Sequence, residues 1–246
     1  MDSLASDPSR TSALKRDDGL PTTVIELSQV RFSWVAGPPV LDIETLAVAR
    51  GERVFVRGPS GSGKSTLLSL FAGVVTAQAG TVRVLGKDLG VLRSAERDRF
   101  RADHIGFIFQ MFNLIPYLSV VENVCLPCGF SHRRAERAGA SMTAEAVRLL
   151  EHLDMGGSDV IGRQVGELSV GQQQRVAAAR ALIGKPELVI ADEPTSSLDA
   201  DRRTAFIDLL FRECAREDAT LIFVSHDAGL APLFDRSIEL REINRA

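Results

Sequence analysis

Gly58-Pro59-Ser60-Gly61-Ser62-Gly63-Lys64-Ser65 is the stretch on which the fold turns. Its spacing is G-x-x-x-x-G-K-[ST]; it follows the apolar run Arg53 to Arg57 and leads into a helical pattern from Thr66 to Val75. A strand, a loop and a helix in that order are the context such a loop requires. Its glycines let successive backbone N–H groups curl around phosphate oxygens, while the helix behind offers its positive end to the same anion. In such a loop the lysine, Lys64, reaches the β- and γ-phosphates, and the hydroxyl of Ser65 sits on a Mg²⁺ ion bridging them.

Outward from the loop, short apolar or alternating runs from Val24 to Val30 and from Val40 to Val48 read as strands, as does Thr81 to Leu85. From about Arg93 to Ile183 the pattern is mostly helical and charged, interrupted by the strand-like Ile105 to Phe109 and by breaks at Pro116 and Pro127. Strands return at Leu188 to Ala191 and Leu221 to Val224, with a helix from Ala200 to Arg216 between them and a last strand from Ser237 to Arg241. That alternation predicts an α/β fold with a parallel sheet covered by helices.

The 246 residues suit one large domain. Residues 1–21, polar and without periodicity, read as a disordered tail, and 22–246 as the folded domain with a helical subdomain at about 93–183. Basic minus acidic residues is 29 − 32 = −3, so no overall positive field exists to hold nucleic acid. No apolar stretch approaches the roughly 20 residues of a membrane helix, and the N-terminus lacks the apolar core of a secretory signal. A cytoplasmic location is expected.

Leu188-Val189-Ile190-Ala191-Asp192-Glu193 supplies a second element, an apolar strand ending in two acids where open α/β sheets bind ligands. Asp192 is the candidate to hold Mg²⁺ through water, and Glu193 the candidate to orient and deprotonate an attacking water. Alone, such acids also suit helix caps; beside the phosphate loop the catalytic reading prevails. Between the two elements lies Leu168-Ser169-Val170-Gly171-Gln172-Gln173-Gln174-Arg175, in which Ser169 and Gln172 form a capping box that starts a helix.

With that segment the sequence resembles the ATPase subunit of an ABC transporter, a P-loop NTPase fold with a mostly parallel core sheet, an antiparallel β subdomain and an inserted helical subdomain. The family signature is close to Leu-Ser-Gly-Gly-Gln, from which Val170 departs. The resemblance covers roughly residues 24 to 241. It implies a nucleotide site running from Gly58 through Pro59, Ser60, Gly61, Ser62, Gly63, Lys64 and Ser65 to Thr66, with Trp34 stacked on adenine. It further implies that Gln110 contacts Mg²⁺ and the attacking water, that His226 in Ser225-His226-Asp227 contacts the γ-phosphate, and that Asp199 in Ser197-Leu198-Asp199 communicates with a second subunit. Ser169, Gly171 and Gln172 would face the γ-phosphate bound by that subunit, with the Val170 side chain directed elsewhere.

The expected protein is therefore an ATP- and Mg²⁺-dependent hydrolase working as a head-to-tail homodimer. It would drive a separate integral membrane permease from the cytoplasmic face of the inner membrane, peripherally and without nucleic acid. The apolar segment Gln110 to Leu118 is the expected contact with the permease. The wording from Met111 to Val124 looks most like the lipoprotein-releasing and macrolide-exporting ATPases. A mechanotransmitting or regulatory ATPase in envelope or cell-division processes, without substrate translocation, is the alternative.

Other constellations carry less. Cys125-Leu126-Pro127-Cys128 has the C-x-x-C form but neither a redox nor a zinc context. The arginines of Arg93 to Arg101 and His132 to Arg137 read as solvated helix faces, and His104, His132 and His152 have no evident partners. No Asn-Lys-x-Asp guanine motif, second cassette or heptad run occurs, which separates the chain from GTPases, ribosome-acting ABC proteins and DNA-repair relatives.

Overall fold

The computed structural model describes residues 22–196 and 198–246. The proposed tail, 1–21, lies outside them, as does Ser197. Two sheets organise the chain. The first is antiparallel in the order β2-β1-β4-β5, built from β1 (Thr23–Phe32), β2 (Leu41–Ala49), β4 (Ala79–Val84) and β5 (Lys87–Asp88). The second is parallel in the order β6-β7-β8-β3-β9, built from β3 (Arg53–Arg57), β6 (Ile105–Ile108), β7 (Leu188–Asp192), β8 (Thr220–Val224) and β9 (Arg236–Glu239).

Alternation along the parallel strands divides the core. Phe55, Val189, Ala191, Leu221 and Phe223 face one side and pack with α7 (Val170–Leu182) and α8 (Ala200–Arg216). Val54, Val56, Ile190, Ile222 and Val224 face the other, with α1 (Lys64–Phe71) and the antiparallel sheet. Both faces are covered, so these strands read as continuous apolar runs. The span 93–183 holds α2 (Ser94–His104), α3 (Val120–Phe130), α4 (His132–Arg137), α5 (Met142–His152), α6 (Ser158–Ile161) and α7, and β6 within it belongs to the parallel sheet, paired with β7.

Three boundaries differ from the sequence reading. The first helix starts at Lys64 and ends at Phe71, stopped by Gly73 in the left-handed region (φ +64), the usual conformation of a residue that ends a helix. Leu240 and Arg241 belong to α9 (Leu240–Ile243) and not to the last strand. Pro127 lies inside α3 without ending it; a proline costs the helix one backbone hydrogen bond, and burial of Val124 and Cys128 in the core holds its flanks.

Parallel pairing sets the site. Register aligns Val56 with Val224, Asp192 with Val224, and Ile108 with Ala191. The residues that follow β3, β6, β7 and β8 therefore emerge along one edge, where ligands bind in this architecture.

Candidate nucleotide site

A cleft of about 610 Å³ opens at that edge, walled by the phosphate loop apart from Ser62, and by Trp34, Val40, Gln110, Asp192, Glu193 and His226. Gly63 closes the loop at φ +94, and a Cβ there would lie 2.9 Å from Leu41 Cδ2, so the turn into α1 admits no side chain. Lys64 Nζ donates to the carbonyls of Gly58 (2.7 Å) and Pro59 (3.0 Å). The loop thus curls round its own ammonium group, which has donors to exchange onto an anion.

Ser65 Oγ lies 3.4 Å from Asp192 Oδ2, a long contact for a hydroxyl and a carboxylate. Burial, with the charge of Glu193 added, raises the pKa of Asp192 above the ordinary aspartate value, against the Ser65 hydrogen bond and the Lys64 charge. A half-buried carboxylate disfavoured in its charged form beside an underused hydroxyl is an oxygen donor set that suits Mg²⁺. The residues fit the ion that the sequence implies.

Glu193 turns the chain sharply out of β7: its φ is +48, and its N–H donates to Val224 O at 2.9 Å. Left-handed backbone in a residue with a side chain persists only where the surroundings over-determine it. The turn brings Glu193 Oε2 within 2.8 Å of His226 Nδ1, with the carboxylate mostly covered and the imidazole exposed. A histidine paired to a carboxylate through Nδ1 has its tautomer and orientation set by that bond. Trp34 Nε1 donates to Thr66 Oγ1 at 3.2 Å, and its ring stands edge-on to Phe32 at 5.0 Å. Trp34 remains 59% exposed, enough to leave a ring face for a base.

Ser169, Gly171, Gln172 and Asp199 do not line this cleft. Ser169 N donates to Gln172 Oε1 at 2.9 Å and Gln172 N to Ser169 Oγ at 3.3 Å, the reciprocal capping box that opens α7. Asp199 caps α8 through Arg202 N at 2.9 Å. The two helix starts adjoin, since a Cβ on Gly171 would sit 3.9 Å from Leu198 Cδ2. Val170 is half-exposed in the first turn of α7.

Several readings of individual residues are corrected. Phe112, placed by sequence on the exposed segment after Gln110, is 8% exposed and packs in the core, whereas Met111 and Tyr117 are 81% and 74% exposed. His104 and His152 are both paired, to Glu187 (3.0 Å) and to Glu213 (2.9 Å), and His132 lies 3.4 Å from Glu136. Arg134 does not belong to a solvated face: it is buried and donates to the carbonyls of Ile183 (2.8 Å) and Ala181 (2.6 Å) at the end of α7. A cation suits that end of a helix dipole, although burial lowers its pKa to about 10. Cys128 and Cys214 are buried, and burial pushes the Cys214 thiol up to about 12 and that of Cys125 to about 11, far from the thiolate that redox chemistry needs.

Sequence reasoning passed over Val40 in the cleft wall and Arg180 in α7. The signal for Arg180 was present, a lone cation within the apolar run Val176 to Ile183.

Comparison with known proteins points to one family and fold. Residues 41–196 match the family model described as ABC transporter. The lipoprotein-releasing system ATP-binding protein LolD of Anaeromyxobacter dehalogenans (strain 2CP-C) is 42% identical over 222 residues, covering 89% of this chain and 91% of the relative. The ABC transporter ATP-binding protein YbbA of Escherichia coli (strain K12) is 40% identical over 220 residues, covering 88% and 94%. The solved dimer of the ATP-binding cassette MJ0796, in a post-hydrolysis state bound to ADP and Pi, superposes with a TM-score of 0.75 at 36% identity, covering 87% of this chain and 93% of that one.

Proposed function

The chain belongs to the ABC transporter ATP-binding family and is an ATP hydrolase, and from that premise we propose that it works as a head-to-tail homodimer driving a membrane permease. One observation carries the proposal. The phosphate loop, Glu193 and His226 share the cleft, while Ser169 and Gly171 open a helix outside it. Each half-site needs the other copy. ATP bound to one subunit would be closed over by Ser169 and Gly171 of the second, with Asp199 at the junction.

Within the cleft, Lys64 exchanges its carbonyl partners for phosphate oxygens, and Trp34 stacks on the adenine. Glu193 takes the proton of the attacking water, and His226 holds that carboxylate and meets the γ-phosphate. Ser65, Gln110 and, through water, Asp192 would hold Mg²⁺, which would supply charge neutralisation at the phosphates. Such chemistry depends on positioning and charge stabilisation more than on covalent steps.

No helix of the described residues is long and apolar enough to cross a membrane, so the work is passed to a partner. A second groove, about 430 Å³, lies between α2, β6 and α3, lined by Phe107, Phe109, Leu126 and Phe130 with Asp98 and Arg101 at its rim. Exposed Met111 and Tyr117 lie on the segment that follows β6. Exposed aromatic rings beside charged residues fit a short amphipathic helix, here a cytoplasmic helix of the permease, which would place the chain peripherally on the inner membrane. Likeness to lipoprotein-releasing ATP-binding proteins favours work on the cell envelope.

The dimer is tested with Glu193→Gln. This variant should bind ATP without hydrolysing it and sediment as a dimer in MgATP and as a monomer without it. A monomer at saturating MgATP would contradict the proposal.

A further inference from the structure

Arg180 occupies the last turn of α7, the helix that Ser169 opens, and is 8% exposed. Its guanidinium forks across two consecutive carbonyls: Nη1 donates to Asn113 O at 2.7 Å and Nη2 to Phe112 O. Those two residues are left-handed, with φ +59 at Phe112 and +49 at Asn113. Neither is glycine, and such backbone survives only where its surroundings hold it. One turn hydrogen bond, Phe112 N to Phe109 O (2.9 Å), spans Gln110, and a second, Asn113 N to Met111 O (2.6 Å), tightens the chain just after it; Gln110 itself lines the nucleotide cleft.

The same arginine lines the 430 Å³ groove, together with Asn113, Phe109 and Arg134. It therefore touches the groove directly and, through the Phe112 and Asn113 carbonyls, the segment that follows Gln110. The platform it acts from is firm: α7 crosses β6 so closely that a Cβ on Gly106 would lie 2.2 Å from Ala181 O, and Arg134 ties the end of the helix. Burial lowers the pKa of Arg180, yet a guanidinium keeps its charge in a protein, and its rigid fork matches two adjacent acceptors as a lysine ammonium does not.

We propose that Arg180 is a positioning residue for hydrolysis: by fixing the Phe112–Asn113 backbone from the signature helix, it sets where Gln110 stands in the nucleotide cleft. Displacement of α7 by a second subunit is passed to the segment next to Gln110 through this side chain, which also holds the segment against displacement by an occupant of the groove. The inference rests on the reading of Gln110 given above.

The test uses the full chain and four proteins: wild type, Arg180→Lys, Gln110→Ala and the double variant. MgATP binding is read from Trp34 fluorescence, and hydrolysis from steady-state rates with the thermal midpoint as a control. R180K should lower kcat about 10- to 100-fold, the scale of a misplaced catalytic contact, while ATP affinity stays within about twofold. In the Q110A background the same change should alter kcat by less than about twofold, because residues acting as a unit are not additive. A wild-type kcat in R180K, a parallel loss of ATP binding, or a full multiplicative effect on top of Q110A would overturn the proposal. Wild-type hydrolysis by Q110A alone would locate the failure in the reading of Gln110. Should R180K not fold, Arg180→Gln, neutral and easier to bury, replaces it with the same expectations.

Discussion

At the scale of single residues, local motifs were the most legible part of the chain. The phosphate loop and the Asp192-Glu193 pair could be read directly because each carries its mechanism within a few consecutive positions. Their electrostatics could not. Burial and the Glu193 charge raise the pKa of Asp192, so its proton competes with a divalent cation at higher pH than an ordinary aspartate proton would. Mn²⁺ binding to the nucleotide-loaded protein, followed by electron paramagnetic resonance, should weaken as pH falls, starting above the usual aspartate range. Asp192→Asn should bind weakly throughout and lose that dependence. Identical pH curves for the two proteins would refute the assignment of Asp192.

Glu187 is a second residue whose role only the structure exposes. Although burial pushes its carboxyl upward, hydrogen bonds from His104 and Arg133 and the charge of Arg137 hold its pKa at about 2, against an ordinary value of 4.5. A depressed carboxyl stabilises the fold fully above the unfolded value, and that stability is lost as pH falls from about 4.5 toward about 2. Glu187→Gln should cost about 2 kcal/mol at neutral pH, the scale of hydrogen bonds to a charged group, and should lose less stability than wild type across that acid window. Chemical denaturation at several pH values measures both; equal stability of the two proteins at neutral pH would contradict the account.

At the scale of elements, the strand and helix order was readable from apolar runs, whereas the packing of the middle helices was not. Arg134 looked like one more surface cation because its partners, the carbonyls of Ala181 and Ile183, are about fifty residues away in sequence. Phe112 looked exposed because nothing in the local text announces the left-handed pair that turns its ring inward. The distinction matters for coupling. Tyr117→Asp, on the exposed segment, should abolish stimulation by the permease while partner-free hydrolysis stays near the wild-type rate; Phe112→Asp should instead lower the thermal midpoint, since it buries an unpaired charge. Equal loss of stimulated and partner-free hydrolysis in Y117D would argue against the exposed segment after β6 as part of the docking site.

At the scale of the whole molecule, the parallel sheet gathers the phosphate loop, the acids and His226 at one edge, and Ser169 and Gly171 do not line the cleft there. In the sequence the motifs were visible, but their assignment to two copies came only from the family resemblance, because spacing along the chain says nothing about which residues share a cleft. Complementation between two inactive variants measures this directly. Lys64→Ala spoils the phosphate loop and Ser169→Arg spoils the signature. In a mixed head-to-tail dimer one site carries both lesions and the other carries neither. Mixing the two variants should therefore restore hydrolysis, up to roughly a quarter of the wild-type rate, since half the dimers are mixed and each has one intact site. A mixture as inactive as its components would contradict the shared site.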